Sequence, residues 1–194
     1  MRLIPLLNRR KFLKSAIAGL IGTSGIFAFV KGYKKKYHVG DIVEYPSPIL
    51  RGISQSIDII DDSIIALGNS MISILRFKAP FEFLFKGSLY KGLAAPQVGI
   101  QKRLIVCGLH GGIKILINPE ILEKSGTYSN SEYCLSLPRY HRKTITRSQN
   151  VTVKYKTLEN TEQILVAKNS SAALLQHEID HLDGVLYIDY QNSS

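Results

Sequence analysis

Cysteine is scarce in this 194-residue chain, in which only Cys107 and Cys134 occur. Two cysteines do not make a disulfide framework, so the fold must rest on an ordinary core, for which the chain is long enough. Cys107 lies in an apolar, strand-like run and is expected to be a buried core residue. Cys134 lies in a loop with polar neighbours, where a thiolate would be an excellent ligand for a borderline divalent metal.

Acidic residues are absent from the first 36 positions, which hold nine of the 25 lysines and arginines. The other 158 positions carry 16 basic and all 15 acidic residues, so the net charge of +10 is concentrated in the N-terminal segment. The remainder of the chain is almost neutral. This distribution argues against direct nucleic-acid binding by the folded domain.

A long hydrophobic run is also missing. Arg9-Arg10-Lys11-Phe12-Leu13-Lys14 precedes an uncharged stretch over 15–30, a pattern that resembles a bacterial twin-arginine export signal. Sixteen residues are short for a membrane span, and no convincing small-x-small cleavage site follows.

We therefore divide the chain into a targeting or membrane-anchor segment, 1–36, and a folded domain, 37–194. The expected location is membrane-associated or exported. An uncleaved anchor, a disordered basic extension, an organelle transit peptide and a cytoplasmic location remain open.

The spacing of apolar residues predicts both helix and strand. Five residues recur at alternating spacings of three and four and predict an amphipathic helix from Ser56 to about Phe77: Ile57, Ile60, Ile64, Leu67 and Met71. Four runs favour strands: 103–107, 113–117, 151–158 and 163–167. Several short strands followed by one helix are typical of an α+β fold, with mixed or antiparallel strands packed around a central helix.

That last helix contains His177, Glu178 and His181 in an H-E-x-x-H pattern, and Gly184 is expected to end it. Residues four apart share one helix face, so both imidazoles can reach a single metal ion. Glu178 would stand beside the metal, where a general base can take a proton from an attacking water.

A catalytic metal of this kind usually has a third protein ligand. Only Asp183 and Asp189 follow the pattern as plausible ligands, and both are close to the helix end, so an upstream ligand is expected. The upstream candidates are Cys107, Cys134, His38, His110, His141 or a carboxylate.

Three segments together resemble the peptide deformylase family in order and approximate spacing. They are Gly-Leu-Ala-Ala-Pro-Gln at 92–97, Glu-x-Cys-Leu-Ser at 132–136, and Gln-His-Glu-Ile-Asp-His-Leu-Asp-Gly at 176–184. The resemblance covers roughly residues 40–190. It implies hydrolysis of the formyl group from N-formylmethionyl peptides or nascent chains, with release of formate.

The resemblance also implies roles at the metal. Cys134, His177 and His181 match the three metal ligands, and Glu178 matches the general acid and base. One divalent ion is implied, usually ferrous iron in this family, with zinc, nickel or cobalt able to occupy the site. Asp180 and Glu132 are expected to orient ligand histidines or to pair with Arg147.

Further residues match the family's substrate contacts. Gln97 and the backbone N–H of Leu135 match the donors that stabilise the developing oxyanion. Gly92 lies in the segment that pairs with a peptide substrate, and Leu93 and Leu135 indicate an apolar pocket for a methionine-like side chain. The implied partner is an N-formylmethionyl peptide, with the ribosome or a membrane as a further partner of the basic N-terminus.

Some positions depart from the family pattern. Tyr90 and Tyr133 stand where glycine is usual, and His141 replaces a frequent arginine. The two tyrosines could narrow the groove. An alternative hypothesis is therefore a deformylase-like metal- or peptide-binding protein with little turnover. A general metalloprotease is a third hypothesis, against which the absence of a downstream ligand argues.

Overall fold

The computed structural model describes residues 42–77 and 91–191, which contain two α-helices and seven strands. Helix α1 is Asp62–Phe77 and helix α2 is Ser170–Leu182. The strands are β1 (Gly92–Ala94), β2 (Leu104–Leu109), β3 (Gly112–Ser125), β4 (Tyr128–Glu132), β5 (Lys143–Arg147), β6 (Asn150–Lys156) and β7 (Glu162–Lys168). Short 3-10 helices occur at Pro48–Arg51, Ala95–Val98 and Tyr187–Asp189.

Five strands form one antiparallel sheet in the order β1-β2-β3-β6-β7, and β4 and β5 form a second, two-stranded antiparallel sheet. The α+β class predicted from the sequence is confirmed, and the ladders between these strands are antiparallel. The segment 1–36, His38 and Tyr90 lie outside the described residues. Within the described residues, no helix is both long and apolar enough for a membrane span.

Strand β2 shows how the two helices cover the main sheet. All six of its residues are buried. Leu104 and Val106 belong to an apolar cluster that contains α1 residues, whereas Ile105 and Cys107 belong to a second cluster that contains α2 residues. Successive side chains of a strand point to opposite faces, so a strand covered on both sides becomes continuously apolar. The prediction that Cys107 is a core residue is confirmed.

Helix α1 begins six residues later than predicted, at Asp62. Asp61 Oδ1 accepts hydrogen bonds from the N–H groups of Ser63 and Ile64 and so caps the helix. Ile57 is held by the Asn118 side chain, which binds both its N–H and its C=O at 2.8 Å. Ile57 is nevertheless buried, because the extended segment before α1 packs it into the same apolar cluster as the helix.

Helix α2 ends where the sequence indicates. Its last residue is Leu182, and Gly184 follows with a left-handed φ of +74°. A Cβ at this glycine would lie 2.5 Å from the Arg51 carbonyl oxygen, so both the φ value and the close approach require glycine.

The β4–β5 sheet was not predicted. Its buried positions include Glu132 and Arg147 rather than apolar residues alone, so the usual alternation is hidden. The register pairs Glu132 with Lys143 and Tyr128 with Arg147. This small sheet ends two residues before Cys134 and positions it against α2.

Candidate active site

Cys134, His177 and His181 converge on one point. Their candidate ligand atoms all lie within 4.8 Å of one another, and Cys134 Sγ is 3.2 Å from His181 Nε2. All three side chains are buried. His177 and His181 come from one face of α2, as the spacing predicted, and Cys134 comes from the segment after β4. One thiolate and two imidazoles form a donor set that fits a single divalent transition metal.

The other proposed ligands lie elsewhere. Asp183 pairs with Arg103 at 2.5 Å, and Asp189 pairs with Arg51 at 2.5 Å. Cys107 is enclosed in the core. His110 and His141 are exposed and do not join the cluster. Among the candidates that the structure describes, the geometry therefore brings Cys134 alone to the two helical histidines.

Glu132 fixes the orientation of His177. Its Oε2 lies 2.7 Å from His177 Nδ1, so His177 Nε2 remains available to a metal. Arg147 donates from Nε to Glu132 Oε1 at 2.8 Å and from Nη2 to Oε2 at 3.0 Å. Burial alone would raise the pKa of Glu132, but the hydrogen bonds from His177 and Arg147 outweigh burial and lower that pKa to about 2.

Arg147 connects this pair to a second carboxylate. Its Nη1 donates to Asp180 Oδ2 at 2.5 Å, and the Tyr190 hydroxyl donates to the same oxygen at 2.8 Å. The Arg147 guanidinium also lies 4.4 Å from the Tyr190 ring centroid. The expected pairing of Glu132 and Asp180 with Arg147 is confirmed, whereas the part played by Tyr190 was missed. A tyrosine just beyond a helix end gives no sequence pattern that indicates such a contact.

Glu178 is buried beside the metal-binding cluster and is only 3% exposed. Within the described part of the chain, its Oε2 has no hydrogen-bond partner. Burial raises the pKa of Glu178 to about 7, so both protonation states are accessible near neutral pH. Those are the properties of a group that accepts and returns a proton.

Gln97 is held so that its amide N–H groups face the cluster. Its Oε1 accepts the Ala94 N–H at 2.8 Å, while its Nε2 lies 3.3 Å from Cys134 Sγ and 3.2 Å from Ser136 Oγ. Ser136 is fully buried and is a further site residue that the sequence reasoning did not single out. The sequence feature that could have indicated Ser136 is its position two residues after the candidate ligand Cys134.

A groove of about 590 Å³ leads to this cluster. Its lining includes Gly92 together with the buried side chains of Gln97, Cys134, His177 and Glu178, whose burial marks its inner end. Apolar lining comes from Leu75, Leu135, Ala173 and Leu174. Leu93 is instead fully buried in the α1 cluster, and its side chain is not among those that line the groove.

The sequence of this chain is similar to those of one enzyme family. A family model described as polypeptide deformylase matches residues 39–194. The chain is 41% identical over 145 residues to peptide deformylase 1 of Clostridium perfringens, covering 74% of this chain and 91% of that protein. The chain belongs to the peptide deformylase family. It is also 38% identical to the peptide deformylase of Carboxydothermus hydrogenoformans, covering 76% of this chain and 90% of that protein.

Solved structures of peptide deformylases agree with this assignment. The Thermotoga maritima enzyme is matched with a TM-score of 0.68 and 33% identity, covering 78% of this chain and 97% of that one. The Synechococcus elongatus enzyme in complex with actinonin is matched with a TM-score of 0.69 and 34% identity, covering 79% of each chain.

Peptide deformylases are metal-dependent hydrolases that remove N-formyl groups from nascent peptides. The family and the enzyme class predicted from the three motifs are thus confirmed. The comparisons do not favour the alternative of a binding protein without turnover. Tyr133 is 44% exposed, with its ring against the Arg142 guanidinium, so it lines the groove without closing it.

Proposed function

We propose that this chain hydrolyses the formamide of N-formylmethionyl peptides, releasing formate, with helix α2 as the element that carries the metal site. The convergence of Cys134, His177 and His181 within 4.8 Å, with Glu178 buried beside them, is the observation that carries this proposal. Ferrous iron is the proposed metal, and zinc, nickel or cobalt would fit the same ligands. When bound, such an ion would polarise the formyl carbonyl and acidify the attacking water.

Glu178 is the proposed general base and acid. Its carboxylate removes a proton from the attacking water and later returns it to the leaving amine of the substrate. A pKa near 7 suits both transfers, because neither the loss nor the gain of the proton is strongly uphill at neutral pH.

Gln97 and Leu135 are the proposed oxyanion donors. The Gln97 amide is oriented in advance by Ala94, so its Nε2 needs no reorganisation when negative charge develops on the formyl oxygen. The backbone N–H of Leu135 directly follows Cys134, and within residues 42–77 and 91–191 no acceptor occupies it. These two observations support Gln97 and Leu135 as the donors.

Gly92 is the proposed backbone contact for the substrate. Within the described part of the chain, strand β1 lies at the edge of its sheet and pairs with β2 alone. The Gly108 N–H on β2 donates a hydrogen bond to the Lys91 carbonyl, so the backbone groups of Lys91 face β2. The backbone N–H and C=O groups of successive strand residues point to opposite sides, so those of Gly92 point away from β2. An extended peptide can add to this edge, with its methionine side chain against the apolar lining from Leu135 and Leu174.

Formate release tests the proposal. The full-length chain would be prepared without oxygen, loaded with ferrous iron or nickel, and mixed with a formyl-methionyl tripeptide amide. Catalytic formate release that requires the metal supports the assignment, whereas the absence of turnover at full metal occupancy refutes it.

We propose further that residues 1–36 place the enzyme at a membrane or direct its export. The concentration of nine basic residues there, before and after an uncharged run, supports this proposal. Cell fractionation of the full-length chain and of a chain beginning at Tyr37 provides the test. Identical soluble distribution of the two chains would refute a targeting role, and it would also remove the proposed contact with a membrane. Co-sedimentation of each chain with ribosomes tests the other proposed partner.

A further inference from the structure

We propose that Arg142, at the mouth of the groove, selects substrates that carry a carboxylate beyond the formyl-methionine residue. The inference rests on the proposed deformylase function and specifies the substrate class. Arg142 and Tyr133 both line the groove, and the Arg142 guanidinium carbon lies 5.5 Å from the Tyr133 ring centroid. Together they form a cationic shelf, defined here as Tyr133 and Arg142.

The position of the shelf along the groove indicates which part of a peptide it meets. Glu178, at the inner end, is 3% exposed, whereas Tyr133 is 44% exposed and Arg142 also lies at the surface. A peptide with its formyl group beside Glu178 therefore extends outward toward the shelf. Residues after the methionine, rather than the methionine itself, are the ones that reach Arg142.

The charge balance of the groove favours an anion at this end. Its charged lining residues are Lys91, Arg142, Glu132 and Glu178. Glu132 is already bound by Arg147 and His177, and Glu178 lies at the inner end. At the exposed end, the Arg142 charge is therefore not balanced by a carboxylate among the described lining residues.

The contact with Tyr133 positions Arg142 without neutralising it. A ring face attracts a guanidinium but does not remove its charge. Among the residues that the structure describes, no carboxylate pairs with Arg142. Its planar set of N–H donors can thus bind a carboxylate in a bidentate manner. That carboxylate can come from an aspartate or glutamate side chain or from the C-terminus of a short peptide.

The test compares kcat/KM for formyl-Met-Ala-X peptides with X as glutamate, glutamine or lysine, each with an amidated C-terminus. Because the shelf is exposed, we expect a modest preference of about twofold to fivefold for glutamate over glutamine at low salt. The preference should lie in KM rather than kcat and should fall toward unity at high salt. The glutamine peptide with a free C-terminus tests the second source, because its only carboxylate is the C-terminal one.

Two variants make the test specific. Arg142→Gln should abolish the preference for acidic peptides, measured within the variant as the ratio of kcat/KM for the glutamate peptide to kcat/KM for the glutamine peptide. Arg139→Gln is the matched control, since Arg139 is exposed on the same segment but does not line the groove, and this variant should keep the preference. A wild-type enzyme that turns over the neutral peptide without any acidic preference overturns this inference alone, as does an unchanged preference in Arg142→Gln. No turnover of any formyl peptide overturns the proposed function as well.

Discussion

Gly92 lies directly against the side chain of Glu178. An ideal Cβ built on Gly92 would fall 2.5 Å from Glu178 Cγ and Cδ, well inside any normal contact. The edge strand and helix α2 therefore approach each other closely at the position proposed for proton transfer. A residue with any side chain at 92 must displace the Glu178 carboxylate.

Gly92→Ala should consequently impair catalysis without removing the metal. A shift of the general base by about 1 Å can cost on the order of 100-fold in rate, so a loss of kcat of that size is expected. Steady-state formate release measures the loss, and metal analysis of the same sample provides the control. Full activity in Gly92→Ala would show that Glu178 tolerates displacement or does not act as the base.

Arg147 is expected to stabilise both the fold and the metal site. Its side chain is 3% exposed and compensates the buried Glu132 carboxylate, which is also 3% exposed. Arg147→Gln should therefore cost about 3–5 kcal/mol of unfolding free energy, because it removes the cationic partner of a buried carboxylate. Loss of support for Glu132 and His177 should also weaken metal binding by about 10-fold to 100-fold.

Urea unfolding and metal titration measure these two effects. Lys154→Gln is a useful control, because Lys154 pairs with Glu120 at an exposed site and should contribute little to the free energy of unfolding. Equal effects of Arg147→Gln and Lys154→Gln would contradict the proposed network.

The two cysteines should respond differently to substitution. Cys134→Ala removes a proposed ligand and should abolish stoichiometric metal binding, whereas Cys107→Ala changes only the core and should retain it. Elemental analysis of both purified variants gives the comparison. Full metal occupancy in Cys134→Ala would exclude Cys134 from the ligand set.

The pair formed by Arg51 and Asp189 should make a small, pH-dependent contribution to stability. The hydrogen bond from Arg51 lowers the pKa of Asp189 below its ordinary value of 3.8. A carboxylate with a lowered pKa in the folded state stabilises the protein above the unfolded pKa and loses that contribution as the pH falls through the folded pKa.

Asp189→Asn should accordingly be less stable than the wild type at pH 7, by well under 1 kcal/mol because both side chains are more than a third exposed. The difference should shrink as the pH falls below about 4. Urea midpoints measured at both pH values check this expectation, and a difference that grows at low pH would contradict it.

The helix carrying His177, Glu178 and His181 was predictable because its chemistry and periodicity are local. Cys134 could be chosen among the upstream candidates only through the combined motifs, since its distance to the histidines is a tertiary property. The start of α1 was placed too early because Ile57 and Ile60 continue the apolar spacing into an extended segment that Asn118 holds.

The β4–β5 sheet could not be predicted from alternation, because buried Glu132 and Arg147 occupy positions that are normally apolar. These same polar residues orient His177. The contact between Arg142 and Tyr133 likewise depends on bringing two loop positions together, for which the sequence contains no periodic signal.

The role of Glu178 as general base is tested most directly by comparing the wild type with Glu178→Gln. Metal content and formate release from one formyl-methionyl peptide are measured in the same samples. Glutamine retains the size of the side chain but cannot take up and return a proton. We expect equal metal content in the two proteins and a loss of kcat of at least about 100-fold in Glu178→Gln. Equal metal content with an unchanged rate would show that Glu178 is not the general base of a metal-dependent deformylase.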